Sequence, residues 1–241
     1  MNRTPLASDT AMVLSAGMGK RMRPLTATQP KPLVRVAGKS MIDHALDKLD
    51  TAGVAKAVVN VHYLADALDG HLKVRRKGPE ITVSDEREQL LETGGGMVKA
   101  APLLPDTFFC LNSDNIWLDG PQDVFHELSL AWDESRMDAL LLMVPHPRAM
   151  NYRGEGDFHL DPIGRVIRRK RGHVAPFIYS GIQLVSKRLL RDAPEGPFST
   201  NLLWTRAIEE GRLFGIVHTG LWFEVGSPDM IKPTEEWLTR A

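Results

Sequence analysis

Small residues and cations alternate in the stretch Ser15-Ala16-Gly17-Met18-Gly19-Lys20-Arg21-Met22-Arg23-Pro24-Leu25-Thr26, and Lys31-Pro32-Leu33 follows closely. This mixture suits a phosphate: Ala16, Gly17 and Gly19 let backbone N–H groups approach anionic oxygens, and the cations neutralise their charge. A Gly-x-Gly alone marks no more than a tight turn. The spacing fails the dinucleotide fingerprint, because Met22 stands where a third glycine belongs, and no Gly-Lys-Ser/Thr completes a P-loop. What remains is a phosphate loop of another design.

A second group is Leu111-Asn112-Ser113-Asp114, which closes an apolar run. A carboxylate just past a buried strand end faces the crevice, where it is costly unless it binds a cation. Asp114 alone could be an ordinary turn residue. Beside a phosphate loop it reads as a magnesium ligand, with Asn112 next to the nucleotide. In Glu92-Thr93-Gly94-Gly95-Gly96, Thr93 and Gly94 could meet a base or ribose, and Thr93 could also cap a helix. The eight histidines form no close pair on one helical face, so none receives a catalytic role. Arg75-Arg76-Lys77 reads as a solvated loop. Arg168-Arg169-Lys170-Arg171 is either a solvated hairpin or a contact for an acceptor anion.

These residues need a frame that brings strand ends together. Strands are predicted at 11–15, 57–61, 81–84, 107–111 and 139–144, separated by helices at 40–52, 63–72, 95–104 and 123–132. That alternation implies parallel βαβ units, hence an α/β doubly wound, mostly parallel (Rossmann-like) sheet flanked by helices. Ligands bind beyond the carboxyl ends of such strands, which is where the phosphate loop and Asp114 fall. Residues 145–176 carry Gly154, Gly156, Pro162 and Gly164, the texture of β-hairpins beside the sheet. A strand at 179–185, a helix at 200–210, a strand at 213–217 and a helix after Pro228 follow. The expected organisation is one domain over 1–241: a nucleotide-binding core at 11–144, then a sugar-binding and closing part at 145–241 that includes a small β-rich insertion.

Composition fits a protein of 241 residues with 43% hydrophobic and 25% charged residues. Lys+Arg and Asp+Glu balance at 30 each, which argues against a nucleic-acid partner. The single cysteine, Cys110, lies in the apolar run Phe108-Phe109-Cys110-Leu111 and reads as a buried structural thiol. No signal peptide or run of about 18 apolar residues points to a membrane. Residues 1–10 read as a short polar leader, and the expected location is cytoplasmic.

Gly17-x-Gly19-x-Arg21-Met22-x-Pro24-Leu25-Thr26 with Lys31-Pro32-Leu33 resembles the signature of the sugar-1-phosphate nucleotidyltransferases. The resemblance implies that Arg21 meets the departing phosphates, Lys31 the reacting ones, and Asp114 a Mg2+ ion. Trp222-Phe223-Glu224-Val225-Gly226-Ser227-Pro228 resembles the segment that completes the metal site, with Glu224 where relatives generally carry aspartate. The form Glu-Thr-Gly-Gly-Gly is similar to a subgroup containing uridylyltransferases for N-acetylmuramate 1-phosphate, enzymes of peptidoglycan recycling. In that subgroup an acid near Glu86 approaches the base, and Asp157 and Gly181 fall in segments bordering the sugar. Asp157 could accept bonds from sugar hydroxyls, or be an ordinary hairpin carboxylate. The implied partners are a nucleoside triphosphate, with UTP favoured, and a sugar 1-phosphate; the assembly is a monomer or small homo-oligomer. A mannose-1-phosphate guanylyltransferase shares the phosphate and metal motifs. A non-catalytic nucleotide-sugar sensor would have lost Arg21, Lys31 or Asp114, and all three are present.

Overall fold

The structure, a computed structural model, describes residues 5–240, so residues 1–4 of the predicted leader lie outside it. The rest of that leader is brief, because Thr10 already opens strand β1 (Thr10–Leu14). Single 3-10 turns at Lys20–Met22, Leu25–Ala27 and Lys31–Leu33 carry the phosphate-loop segment. A two-residue hairpin, β2 (Arg35–Val36) and β3 (Lys39–Ser40), then leads into helix α1 (Met41–Ala52). Ser40 caps α1 by accepting from the Asp43 N–H at 3.3 Å. Ile42, Ala45, Leu46 and Leu49 turn one buried face to the sheet, as their helical spacing requires.

The βαβ series continues with β4 (Lys56–Val61), α2 (Ala65–Val74), β5 (Glu80–Asp85), α3 (Glu92–Ala100) and β6 (Thr107–Asn112). Two helix starts differ from the predicted ones by more than one residue. α2 begins two residues late, because Leu64 adopts φ 49° and Tyr63 instead donates its hydroxyl to the Thr26 carbonyl at 2.8 Å. α3 begins three residues early at Glu92, so Thr93 lies inside the first turn and is not its cap. It ends at Ala100, where Pro102 tightens the chain into a 3-10 turn.

The chain then forms β7 (Ile116–Leu118), α4 (Val124–Ala131), β8 (Ala139–Pro145), β9 (Ala149–Met150), β10 (Phe158–Leu160) and β11 (Val166–Arg168). It finishes with β12 (Phe177–Ser186), α5 (Asn201–Glu209), β13 (Leu213–Val217), β14 (Leu221–Phe223) and α6 (Ile231–Leu238).

Nine of the described strands make the main sheet, in the order β11-β10-β12-β6-β1-β4-β5, with β8 on β12 and β13 on β8. The strands β5, β4, β1 and β6 run parallel. β12 is antiparallel to both β6 and β8, so the sheet is parallel-rich with one long reversed strand. The order turns at β1: β4 and β5 extend one way and β6 lies on the other side. That reversal opens a crevice beyond the ends of β1 and β6.

The predicted hairpin exists as β10 and β11, but it is bonded into the main sheet through Phe158 opposite Phe177. A second sheet, β7-β14-β9, was not legible in the sequence, because strands of two and three residues carry no readable period. Its register sets Phe223 opposite Ile116 and beside Met150. A separate apolar cluster of Met22, Val34, Val36, Met41, Ile116, Phe223 and Val225 ties this sheet to the glycine-rich loop. Met22 is fully buried there, a contribution of about 2 kcal/mol that anchors an otherwise exposed, cationic loop. Cys110 is buried as predicted, and burial pushes its thiol up to about 12. No described helix is long and apolar enough to cross a membrane.

Candidate active site

The crevice beyond β1 and β6 is a cavity of roughly 410 Å³. Ala16, Gly17 and Gly19 form one wall, Lys31 and Pro32 the next, Asn112, Ser113 and Asp114 a third, and Thr93 a fourth. The parallel pairing of β1 with β6 carries on past the strands, since Ser113 N–H donates to Leu14 O at 2.9 Å. Asp114 is therefore delivered to the cavity by the sheet itself.

Gly19 is required where it stands. Its φ is 58°, and a Cβ there would lie 2.9 Å from Lys31 Cβ and 3.0 Å from Thr26 Cγ2. Without that atom the loop folds down on Lys31, and Thr26 Oγ1 locks it by donating to Gly19 O at 2.8 Å. Lys31, whose side chain is only 13% exposed, is ion-paired through Nζ with Asp114 Oδ2. Arg21, which does not line the cavity, reaches outward with a side chain 76% exposed, and its Nη1 lies 3.7 Å from Glu224 Oε1. The apolar cluster explains this second pair: Met22 next to Arg21 and Val225 next to Glu224 pack into it together. Each expected carboxylate thus faces one of the expected cations.

Those carboxylates also fit a magnesium ion. The β14–β7 register leaves Glu224 just after Phe223 and Asp114 two residues before Ile116, at one end of the small sheet. Both offer hard oxygen donors, and Mg2+ commonly takes one or two carboxylates together with substrate phosphates. Among the described residues no group of three or more His, Cys, Asp or Glu could hold a metal.

Glu86, expected near the base, is fully buried and does not line the cavity. Its Oε1 accepts from Asn60 Nδ2 at 2.8 Å, and Asn60 Oδ1 accepts from the Ser15 N–H at 2.6 Å. The carboxylate therefore lies beneath the loop and is joined to it through Asn60. Burial pushes the Glu86 carboxyl upward, against the hydrogen bonds from Asn60 and the Leu91 N–H. A carboxyl raised on folding contributes stability below its unfolded pKa and loses that contribution as pH rises through the folded value. The Tm of the wild type minus that of Glu86→Gln is therefore expected to fall as pH is raised out of the ordinary glutamate range. A difference that stays flat from acid to neutral pH would show that Glu86 is not linked to folding.

The three glycines at the start of α3 are filled by protein. A Cβ on Gly94 would overlap the Phe198 ring, and one on Gly95 would overlap Gly196 O. The N–H groups of Gly94 and Gly95 donate to Phe198 O at 2.8 and 3.2 Å. Thr93 Oγ1 accepts from Thr200 N–H at 2.9 Å. This end of α3 therefore docks the 196–200 segment, which brings Ser199 to the cavity. Gly181, at φ 84°, gives its side-chain space to the amides of Asn112 and Asn115, whose Nδ2 atoms lie 2.7 Å from an ideal Cβ. Asp157 lies outside the first cavity, with its Oδ2 accepting from the Tyr179 N–H at 2.9 Å.

Sequence reasoning passed over Asn60, Asn115 and Ser199. Asn60 left a signal, an amide within the apolar run Val58-Val59-Asn60-Val61. Asn115 is 3% exposed with an Nδ2 that finds no partner among the described residues. Ser199 left no signal, since only the fold brings it to α3.

The family described as nucleotidyl transferase matches residues 10–154. A protein of Caulobacter vibrioides named N-acetylmuramate alpha-1-phosphate uridylyltransferase is 43% identical over 239 residues, covering 98% of this chain and 99% of its own. A protein of the same name from Neisseria meningitidis serogroup B is 31% identical, covering 93% and 96%. Among solved structures, the inositol-1-phosphate CTP transferase from T. maritima superposes with a TM-score of 0.77 at 19% identity, covering 97% of this chain and 96% of that one. That last likeness is one of fold.

Proposed function

Since the chain belongs to the nucleotidyl transferase family, we propose that it transfers UMP from UTP to N-acetylmuramate α-1-phosphate and releases pyrophosphate. The observation that carries this reading is the Lys31–Asp114 pair at the crevice of β1 and β6, under the glycine-rich loop. The full-length likeness to the Caulobacter protein supports the choice of nucleotide and sugar.

In the reaction an oxygen of the sugar phosphate attacks the α-phosphorus, and the bond from that phosphorus to the departing pyrophosphate breaks. The attacking oxygen is already ionised, so no general base is required. Two anions must instead be held together, which makes positioning and fixed positive charge the main contributions. Lys31 supplies charge inside the cavity and Arg21 supplies it at the outer lip. The backbone of Ala16, Gly17 and Gly19 orients the phosphates. Asp114 and Glu224 would hold Mg2+, which when bound would supply positive charge to the reacting phosphates. Thr93 and Asn112 border the nucleotide.

The test is pyrophosphate release from UTP, GTP, CTP and dTTP, each offered N-acetylmuramate, N-acetylglucosamine, mannose and glucose 1-phosphates in turn with Mg2+. UTP with the muramate derivative is expected to give the highest kcat/KM. A higher value for any other pair would replace the proposed substrates.

A further inference from the structure

A second cavity, of roughly 310 Å³, is lined by Asp157, Phe158, Arg168, Arg169, Tyr179, Asn201 and Trp204. Two walls link it to the first. Along β12, Tyr179 lines the second cavity, and Gly181, about 7 Å further on, packs against Asn112 of the first. Along the chain entering α5, Ser199 lines the first and Asn201 the second. A sugar whose phosphate reacts beside Lys31 and Asp114 would send its far edge into this second space.

The lining suits a sugar. Phe158 and Tyr179 both meet the Trp204 ring edge-on, with centroids 6.2 and 4.7 Å away, and make an aromatic floor. A few convergent polar groups stand around it, the usual composition of a small-molecule site. Trp204 Nε1 is taken up by Gln183 Oε1 at 3.1 Å, so the floor presents its apolar surface. Asp157 retains acceptor capacity for a hydroxyl or an acetamide N–H.

The two arginines differ in their commitments. Arg169 is occupied: Nε donates to Gly156 O, and Nη1 to Glu155 Oε2 and His173 O, all at 2.8 Å. Arg168 donates to neutral oxygens alone, Asn201 Oδ1 at 3.0 Å and Asn201 O and Thr205 Oγ1 at 3.4 Å. Its guanidinium lies over the Phe158 ring at 5.4 Å, and no ion pair is formed by it among the described residues. A planar cation oriented on a ring, lining a sugar-sized cavity and in no ion pair among the described residues, matches a carboxylate on the ligand, with Asp157 of the same cavity acting on it only through space.

We infer that Arg168 is the specificity determinant for the acceptor, binding the carboxylate of the sugar's lactyl substituent over the aromatic floor. The inference rests on the proposed function and deepens it. N-acetylglucosamine 1-phosphate is the same sugar without the lactyl group, so the ratio of kcat/KM for the two acceptors isolates that contact. In Arg168→Gln this ratio is expected to fall about ten- to hundredfold, the range for losing a charged hydrogen bond, with the change carried by KM for the muramate acceptor. Arg168→Lys keeps the charge but loses the fork, so its ratio should lie between the two, and it serves as the readout if the glutamine variant does not fold. A UTP-dependent rise in Tm identifies a folded variant. A fall smaller than about fivefold in folded Arg168→Gln, or a fall in Arg168→Lys as large as the glutamine one, would overturn the assignment. Wild-type protein active on other sugars but inactive on the muramate would instead reject the proposed substrate, and the inference with it.

Discussion

Asp114→Asn is expected to lower kcat/KM for pyrophosphate release by about 10²–10³-fold, the usual cost of removing one electrostatic contact at a reacting phosphorus. The substitution keeps the side-chain shape and removes one charge. Asp114 stands outside the strand, just past β6, with its side chain 33% exposed, so little packing is lost and the fold should survive. Lys31 would lose its carboxylate partner, which makes Lys31→Met the natural companion variant. If the two residues act as one unit, the double variant should lose much less than the product of the single losses. Steady-state pyrophosphate release at saturating Mg2+ measures all three. Near wild-type turnover by folded Asp114→Asn would remove the residue from the reaction.

The largest effect on stability is expected from Asn60→Leu. Asn60 holds Ser15 N–H on one side and the Glu86 carboxylate on the other, in a place where both are buried. Leucine matches its size but offers no hydrogen bond. Leaving a buried carboxylate with the Leu91 N–H as its remaining donor typically costs about 1–3 kcal/mol. The loss should shrink as pH falls, because such a carboxylate can take up a proton and become neutral. Urea denaturation at neutral and mildly acidic pH separates the two regimes. A loss of less than about 1 kcal/mol, or one unchanged by pH, would mean that the network under the loop contributes little. The same variant frees the start of the phosphate loop, so KM for the nucleotide should rise as well.

The parts of this protein that were readable in its sequence are those set by local chemistry. Helix α1 could be placed because Ser40, its apolar spacing and Gly53 act within one stretch of chain. The strands before the phosphate loop and before Asp114 could be placed because a buried parallel strand is apolar along its length. The glycine-rich loop and Asp114 followed from residue type and from position after a strand, and the role of Lys31 from the family resemblance. The small sheet β7-β14-β9 could not be read, because its strands are short and its partners are distant in sequence. Yet that sheet and its apolar cluster bring Glu224 to Arg21.

Glu86 and Gly94 mark the boundary most clearly. Residue type alone admits a carboxylate near a base and a glycine under a ribose. Burial makes Glu86 a partner of Asn60, and the Phe198 ring fills the space that Gly94 leaves. Arg168 and Arg169 are equal as letters, and only their tertiary partners separate a cation ion-paired to Glu155 from one hydrogen-bonded to neutral oxygens. The sequence by itself determined the parallel part of the main sheet and the phosphate loop, because backbone periodicity and the charge of phosphate impose local rules, and its motifs carried the family resemblance that implies the class of reaction. Tertiary structure decided which carboxylates face cations, what lies behind the glycines and where the sugar's far edge would rest. Those depend on contacts between residues tens to hundreds of positions apart, which no local pattern records.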